Sequence, residues 1–187
     1  CVFRHPLDAH FSMRKHVENM PFNPFELFFP EGDEETMFRR FLDGGPEGHD
    51  MDAMPLAHIV RHYLAAKALC DRPNVTLFHY ADMCADLPGI FAHVSELMGI
   101  SHPPDVLDAL IAAAEFDNMK ANADRFSPTA GKGFFKSDSA FFESGSSRKW
   151  EGALSSAEYD AYTHVISELL PEQVDRDWLE TGRSGLK

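Results

Sequence analysis

Arg4 and Ser12, eight residues apart, are the residues whose types and spacing best suit binding chemistry. A short apolar segment leads into Arg4, and Pro6 occupies the first position of a helix predicted over about 6–19, where its fixed φ and missing N–H are tolerated. Arg4 is therefore expected at the carboxyl end of a buried strand, with Ser12 about two turns into the helix. A guanidinium fork and a hydroxyl could converge there on one anion. The alternative is that Arg4 pairs with Asp8 or caps the helix.

The elements needed to position these residues follow from the hydrophobic spacing. In chain order they are a helix over 34–42 ended by Gly44-Gly45, a helix beginning at Pro55, a strand over 74–80, a helix from Asp86-Leu87-Pro88 to Gly99, a short helix over 106–114 and a last helix after the capping box of Ser155 and Glu158. Buried strands that alternate with amphipathic helices predict an α/β fold, with a parallel sheet flanked by helices.

Length and composition restrict the class of protein. The chain has 187 residues and 44% apolar content, which predicts one domain over 1–187, with 171–187 a polar tail. A net charge of −13 argues against broad nucleic-acid or anionic-membrane surfaces. The three widely spaced cysteines and the lack of a membrane-length apolar run or signal peptide predict a cytoplasmic protein. A homodimer is kept as a candidate assembly.

One stretch runs against this acidic balance. Between Arg125 and Trp150 there are five basic residues and two acidic ones, a local charge of +3. Residues 124–149 also show no sustained helical or alternating period, which is typical of a binding loop, a lid or a disordered segment. A lid that faces an anion fits this charge best.

The segment Arg4-His5-Pro6-Leu7-Asp8, with Ser12 beyond it, resembles the 3′-phosphate-binding segment of the cytosolic-type sulfotransferases. Those enzymes use 3′-phosphoadenosine-5′-phosphosulfate (PAPS) as the sulfuryl donor. The resemblance implies a fold of the P-loop-containing nucleotide hydrolase type, a site for PAPS at Arg4 and Ser12, and a small-molecule acceptor with a hydroxyl or amine.

Three later segments are similar to the same family and occur in the family order. Tyr80 is the tyrosine of the Tyr-Ala-Asp-Met segment at the end of the apolar strand, and it falls on the family's tyrosine that contacts adenine. Phe116, in the segment Phe-Asp-Asn-Met-Lys-Ala-Asn, falls on the aromatic residue that stacks on adenine. The alternatives without a binding role are that Tyr80 is a tyrosine at a strand end with a solvated hydroxyl and that Phe116 belongs to the core.

The last of these segments, ESGSSRKW, resembles the family's Arg-Lys-Gly triplet with its downstream tryptophan. Gly145 and Trp150 keep the spacing, but Glu143-Ser144 replaces Arg-Lys. The candidate phosphate contacts here are Ser144, Gly145 and, as a compensating cation, Arg148.

The resemblance also implies in-line sulfuryl transfer, with a histidine as base and a lysine at the leaving oxygen. In the family both precede the segment that begins at Cys1, so the chain is expected to be the carboxyl-terminal portion of such an enzyme. None of the ten histidines lies in a matching motif, and no catalytic residue is assigned. His58 and His62 are four apart, but without a third ligand they favour no metal site.

Two alternatives remain for the function. One is a non-catalytic nucleotide-binding or interaction module of the same fold, which the altered triplet favours. The other is a small-molecule kinase of the phosphate-loop class, which would need a Gly-x-x-x-x-Gly-Lys-Ser/Thr motif that this sequence lacks. The aromatic segment PFNPFELFFP, over 21–30, is interpreted as local packing or as the wall of a pocket for an apolar acceptor.

Overall fold

The computed structural model describes residues 1–26, 29–44, 54–128 and 132–182. Phe28, Gly45 and the Gly-rich connection over 45–53 lie outside the described residues, as does the end of the predicted tail over 183–187. The elements are β1 (Val2–Phe3), α1 (Pro6–Glu18), α2 (Glu34–Asp43), α3 (Leu56–Lys67), β2 (Phe78–His79), α4 (Tyr80–Ala85), α5 (Leu87–Met98), α6 (Pro104–Ala114), α7 (Phe116–Ala121), α8 (Ala123–Phe126), α9 (Asp138–Phe141), α10 (Ser156–Leu169) and α11 (Gln173–Thr181).

The sheet is parallel, as predicted, but small. β1 pairs with β2 in the register Val2 to Phe78 and Phe3 to His79, and α1, α2 and α3 form the crossover between them. The strand predicted over 74–80 is paired only over Phe78–His79, because a strand extends only as far as its partner provides backbone groups. Helices therefore make up most of the described fold, and the expected sheet flanked by helices is reduced to a two-stranded ribbon.

Each strand is followed by a helix whose N-cap residue is a histidine. The Nδ1 atom of His5 accepts the Leu7 N–H at 3.2 Å, and the Nδ1 atom of His79 accepts the Ala81 N–H at 3.2 Å. An N-cap acceptor satisfies one of the free N–H groups of a helix start. The same local device thus places the first residues of α1 and α4 at one edge of the ribbon.

The main core lies between β1 and the helices α1, α2, α3, α10 and α11. Its fully or almost fully buried members include Leu7, Leu56, Val60, Tyr63, Tyr162, Ile166, Leu170, Trp178 and Leu179. The predicted polar tail thus contains a docked helix, α11, with Trp178 in contact with Phe3 and Tyr63. The capping box that begins α10 is present as predicted, with Ser155 and Glu158 bonded to each other's backbone.

The apolar stripes of α5 and α6 are less covered than their spacing predicts. No side chain of either helix is fully buried, and Met98 is 65% exposed. Asp86 caps α5 and Gly99 ends it in the left-handed conformation, so the predicted boundaries of that helix are confirmed. No helix in the described ranges is long and apolar enough to cross a membrane.

Candidate functional site

A cavity of about 200 Å³ brings together residues that are far apart in the sequence. Its wall includes Arg4, Ser12, Tyr80, Phe116 and Gly145. These are five of the seven candidate binding residues, and they come from the end of β1, α1, the start of α4, the start of α7 and the loop before α10. The edge of a parallel sheet where strands end is a common place for ligands in α/β folds.

Arg4 is held at the centre of this arrangement. Its Nη2 atom donates to the Ser146 carbonyl oxygen at 2.7 Å, and its guanidinium carbon lies 4.6 Å from the centre of the Tyr80 ring. Its Nε atom is buried and has no hydrogen-bond partner among the described residues. A buried donor without an acceptor is costly, so Arg4 is poised for an acceptor that the described residues do not supply.

Tyr80 and Phe116 form aromatic walls. The Tyr80 hydroxyl donates to the Gly145 carbonyl oxygen at 3.3 Å, and burial raises the pKa of that hydroxyl. A Cβ atom added to Gly145, whose φ is +63°, would lie 2.7 Å from the Phe116 ring. Only glycine combines this backbone conformation with so close an approach. Tyr80, Phe116 and Gly145 therefore form one packed unit.

Asp8 fixes the loop that closes the cavity. Its carboxylate is buried and accepts the N–H groups of Arg148 and Lys149, each at 2.9 Å. The two hydrogen bonds to Asp8 hold residues 148–149 against the first turn of α1. The same loop is also bound by Arg4, through the carbonyl oxygen of Ser146.

The other two candidate residues do not line this cavity. Ser144 faces Ser146, with their hydroxyl oxygens 2.7 Å apart. The Arg148 side chain is 73% exposed, lies 3.6 Å from the Glu151 carboxylate and borders a neighbouring cavity of about 630 Å³. Arg148 has a φ of +63°, and Arg4 and Asp8 line that neighbouring cavity with it.

Lys149, Glu143, Lys15 and His16 also line the cavity, and sequence reasoning did not single them out as ligands. Lys149 forms an ion pair with Glu143. Burial, and next the positive charge of Lys149, lower the pKa of His16, which favours a neutral ring. The only sequence signal for Lys149 was the basic balance of its loop.

The aromatic segment is in part packed locally, which was the first of its two interpretations. Phe29 is buried with Val17 and Met37, which is local packing. Phe22 is 69% exposed and borders a cavity of about 480 Å³, together with Phe29 and Met37. Within the described residues, no group of three or more His, Cys, Asp or Glu side chains could hold a metal ion.

Comparison with known proteins identifies the family of this chain. The family model for the sulfotransferase domain matches residues 1–174. Glycolipid sulfotransferases of Mycobacterium bovis and Mycobacterium tuberculosis are each 30% identical to the chain, over 211 and 210 residues. The matches cover 99% of this chain but 64% of each relative, so the chain spans just under two thirds of their length.

Among solved structures, mouse sulfotransferase SULT7A1 complexed with PAP superposes with a TM-score of 0.73. The match covers 95% of this chain and 59% of the mouse chain at 16% identity, which shows a shared fold. Because the family model matches residues 1–174 of the 187 and the fold is shared, the chain belongs to the sulfotransferase domain family.

Proposed function

We propose that this chain binds PAPS and takes part in sulfuryl transfer to an acceptor hydroxyl. The observation that carries the proposal is the convergence of Arg4, Ser12, Tyr80 and Phe116 on one cavity. The matches to sulfotransferases support it. PAPS would supply the sulfuryl group, and the residues of this chain would bind and orient the nucleotide.

The phosphate end of the ligand is assigned to Arg4 and Ser12. The unpartnered Arg4 Nε can donate to a phosphate oxygen, while Nη2 stays bonded to the Ser146 carbonyl. Hydrogen bonds between ionised groups are shorter and stronger than neutral ones. Because Asp8 restrains the loop that carries Ser146, the guanidinium is held in place before the ligand arrives.

The base is assigned to Tyr80 and Phe116. Stacking of a base on an aromatic side chain contributes about 1 to 3 kcal/mol. The Tyr80 ring contacts the Arg4 guanidinium. Tyr80 therefore lies between the proposed position of the phosphate, at Arg4, and the proposed position of the base, at Phe116. The proposed ligand therefore lies along a continuous wall from Ser12 to Phe116.

The acceptor is assigned to the class of hydroxyl compounds with an apolar part. The relatives named glycolipid sulfotransferases support this assignment. The cavity of about 480 Å³ beside Phe22 and Phe29, which Arg14, Glu18 and Lys136 also line, is the candidate position for an acceptor with both polar and apolar parts. The protein's catalytic base is not assigned to any residue of this chain.

Titration calorimetry of the chain with 3′-phosphoadenosine 5′-phosphate (PAP) and with adenosine 5′-monophosphate (AMP) tests the proposal. The unmodified chain should bind PAP more tightly. Arg4→Ala should lower the affinity for PAP by about 10- to 100-fold, the range expected for a charged hydrogen bond, and change AMP binding much less. Arg72→Ala, at an exposed arginine, is the control. Equal losses for both nucleotides would refute the phosphate assignment.

A second candidate function is nucleotide binding without transfer. The acidic Glu143 in the cavity wall, where a cation would help to bind phosphate, favours it. Incubation of the chain, and of a longer protein that contains it, with PAPS and an acceptor separates the two functions. Formation of PAP together with a sulfated acceptor supports transfer. Binding of PAP by the chain, with no product formed by either protein, supports the non-catalytic module.

A further inference from the structure

The inference drawn here rests on the proposed function and concerns two residues of the same cavity. We propose that Lys149 is a phosphate-binding residue for the ligand's 3′-phosphate, and that Glu143 competes with that phosphate for the Lys149 ammonium. The pair would therefore set the affinity of this chain for 3′-phosphorylated nucleotides. Positions 143 and 144 carry no cation, whereas Lys149, six residues after Glu143, lines the cavity.

The backbone of Lys149 is fixed beside the phosphate position. Its N–H donates to Asp8 Oδ1 at 2.9 Å, and Asp8 lies one turn before Ser12 on α1. Both Lys149 and Ser12 line the same cavity as Arg4. The lysine is thus tied to the helix that carries the proposed hydroxyl ligand, and its side chain has a short reach into the cavity.

Burial distinguishes Lys149 from the other cations nearby. The Lys149 side chain is only 13% exposed, and its ammonium is ion-paired with Glu143. Lys15 also lines the cavity, but its side chain is 51% exposed and is bonded to Glu18 at 2.8 Å. The exposed Arg148 lines the neighbouring cavity, which Arg4 also borders, and is absent from the wall of this one. Lys149 is therefore the less exposed of the two lysines that line this cavity with Arg4.

Glu143 is the carboxylate that lines this cavity together with these cations. Its carboxylate forms the ion pair with the Lys149 ammonium. Its side chain is 39% exposed, and its backbone carbonyl accepts from Lys120 Nζ at 2.5 Å, so the residue is held at the wall by a separate contact. A phosphate bound at Arg4 and Ser12 would meet both the ammonium and this negative charge.

Opposite effects of two substitutions test this account. Lys149→Met should weaken PAP binding by about 10- to 100-fold and change AMP binding much less. Glu143→Gln should instead tighten PAP binding by about two- to fivefold, because the competing charge is removed while the ammonium remains. Lys149→Arg should retain most of the PAP affinity. Arg72→Met and Glu168→Gln each remove one charge of the same sign at exposed positions and should leave both affinities unchanged.

An ion pair with a purely structural role would behave differently. Lys149→Met and Glu143→Gln would then both weaken PAP binding, and that result would overturn the inference. Unchanged PAP binding in Lys149→Met would also overturn it. If Arg4→Ala still removes the preference for PAP in that case, the proposed function stands alone. If the unmodified chain shows no preference for PAP over AMP, the proposed function fails first.

Discussion

Asp8 is a single buried side chain that organises the backbone of the candidate site. Its two carboxylate oxygens accept the N–H groups of Arg148 and Lys149, and its own position on α1 places these residues near Ser12. The sequence motif made Asp8 a candidate partner of Arg4. Its actual partners lie 140 and 141 residues away, and local spacing carries no information about such contacts.

Asp8→Ala should therefore destabilise the fold. Each hydrogen bond to an ionised group contributes about 1.5 to 3 kcal/mol, and two N–H groups would lose their acceptor. We expect a fall of at least about 2 kcal/mol in the free energy of unfolding, measured by urea denaturation. Asp160→Ala, at an exposed position of α10, should change it by less than about 0.5 kcal/mol. Equal stability of the two variants would contradict the role given to Asp8.

At the scale of the element, α1 joins the candidate site to the aromatic core. Ser12 lines the cavity, while His10 is buried against Phe41, with ring centres 4.5 Å apart. Burial, and next the charge of Arg14, lower the pKa of His10 to about 3. Burial likewise lowers the pKa of His5, the N-cap residue of α1, to about 4. Protonation of His5 Nδ1 would also remove the acceptor for Leu7.

The helix should consequently make the fold sensitive to acid. A histidine that stays neutral in the folded state but has its ordinary pKa of 6.5 when unfolded contributes fully above pH 6.5, and its contribution is lost as the pH falls towards its folded pKa. For each such histidine, the free energy of unfolding falls by up to about 1.4 kcal/mol for every pH unit below 6.5, until the folded pKa is reached.

His10→Phe keeps an aromatic ring in the cluster and removes this titration. The loss of unfolding free energy between pH 6.5 and 5 should then become less steep by about 1 kcal/mol per pH unit, as measured by urea denaturation at several pH values. His102→Gln, at an exposed position, should leave the slope unchanged. An identical slope in His10→Phe and the unmodified chain would count against the buried neutral histidine.

At the scale of the whole molecule, α11 returns to close the core that α1 and α3 begin. Trp178 stacks on Tyr63 with ring centres 5.3 Å apart and also contacts Phe3 and His79. Next to it, Asp175 accepts from the Tyr63 hydroxyl at 2.8 Å and from Lys67 Nζ at 2.5 Å. The end of the chain thus supports both strands of the ribbon that carries Arg4.

Trp178→Ala should lower the free energy of unfolding by about 3 to 5 kcal/mol, because it removes a large buried ring and leaves a cavity. Val174→Ala, on the same helix at a side chain that is 64% exposed, should have an effect below about 0.5 kcal/mol. Denaturation followed by circular dichroism measures both variants. Similar midpoints for the two would show that α11 does not support the core.

The sequence predicted α1, α2, α3, α5, α6 and α10, because their caps and apolar spacing are local, but it did not predict α4, α7, α8, α9 or α11. Asp86, Gly99 and the pair Ser155 and Glu158 mark boundaries that the structure confirms. The length of the sheet was less predictable, since pairing depends on a partner strand. Glu143 and Lys149 could be found as charges in a loop, but their ion pair at the cavity depends on how residues 143–149 fold against α1.

A crystal structure of the chain with bound PAP tests the central claim most directly. We predict a phosphate oxygen of the 3′-phosphate within about 3 Å of both Arg4 Nε and Ser12 Oγ, with the adenine against Tyr80 and Phe116. A nucleotide bound elsewhere, for example in the cavity beside Phe22, with Arg4 Nε still lacking an acceptor, would contradict the account.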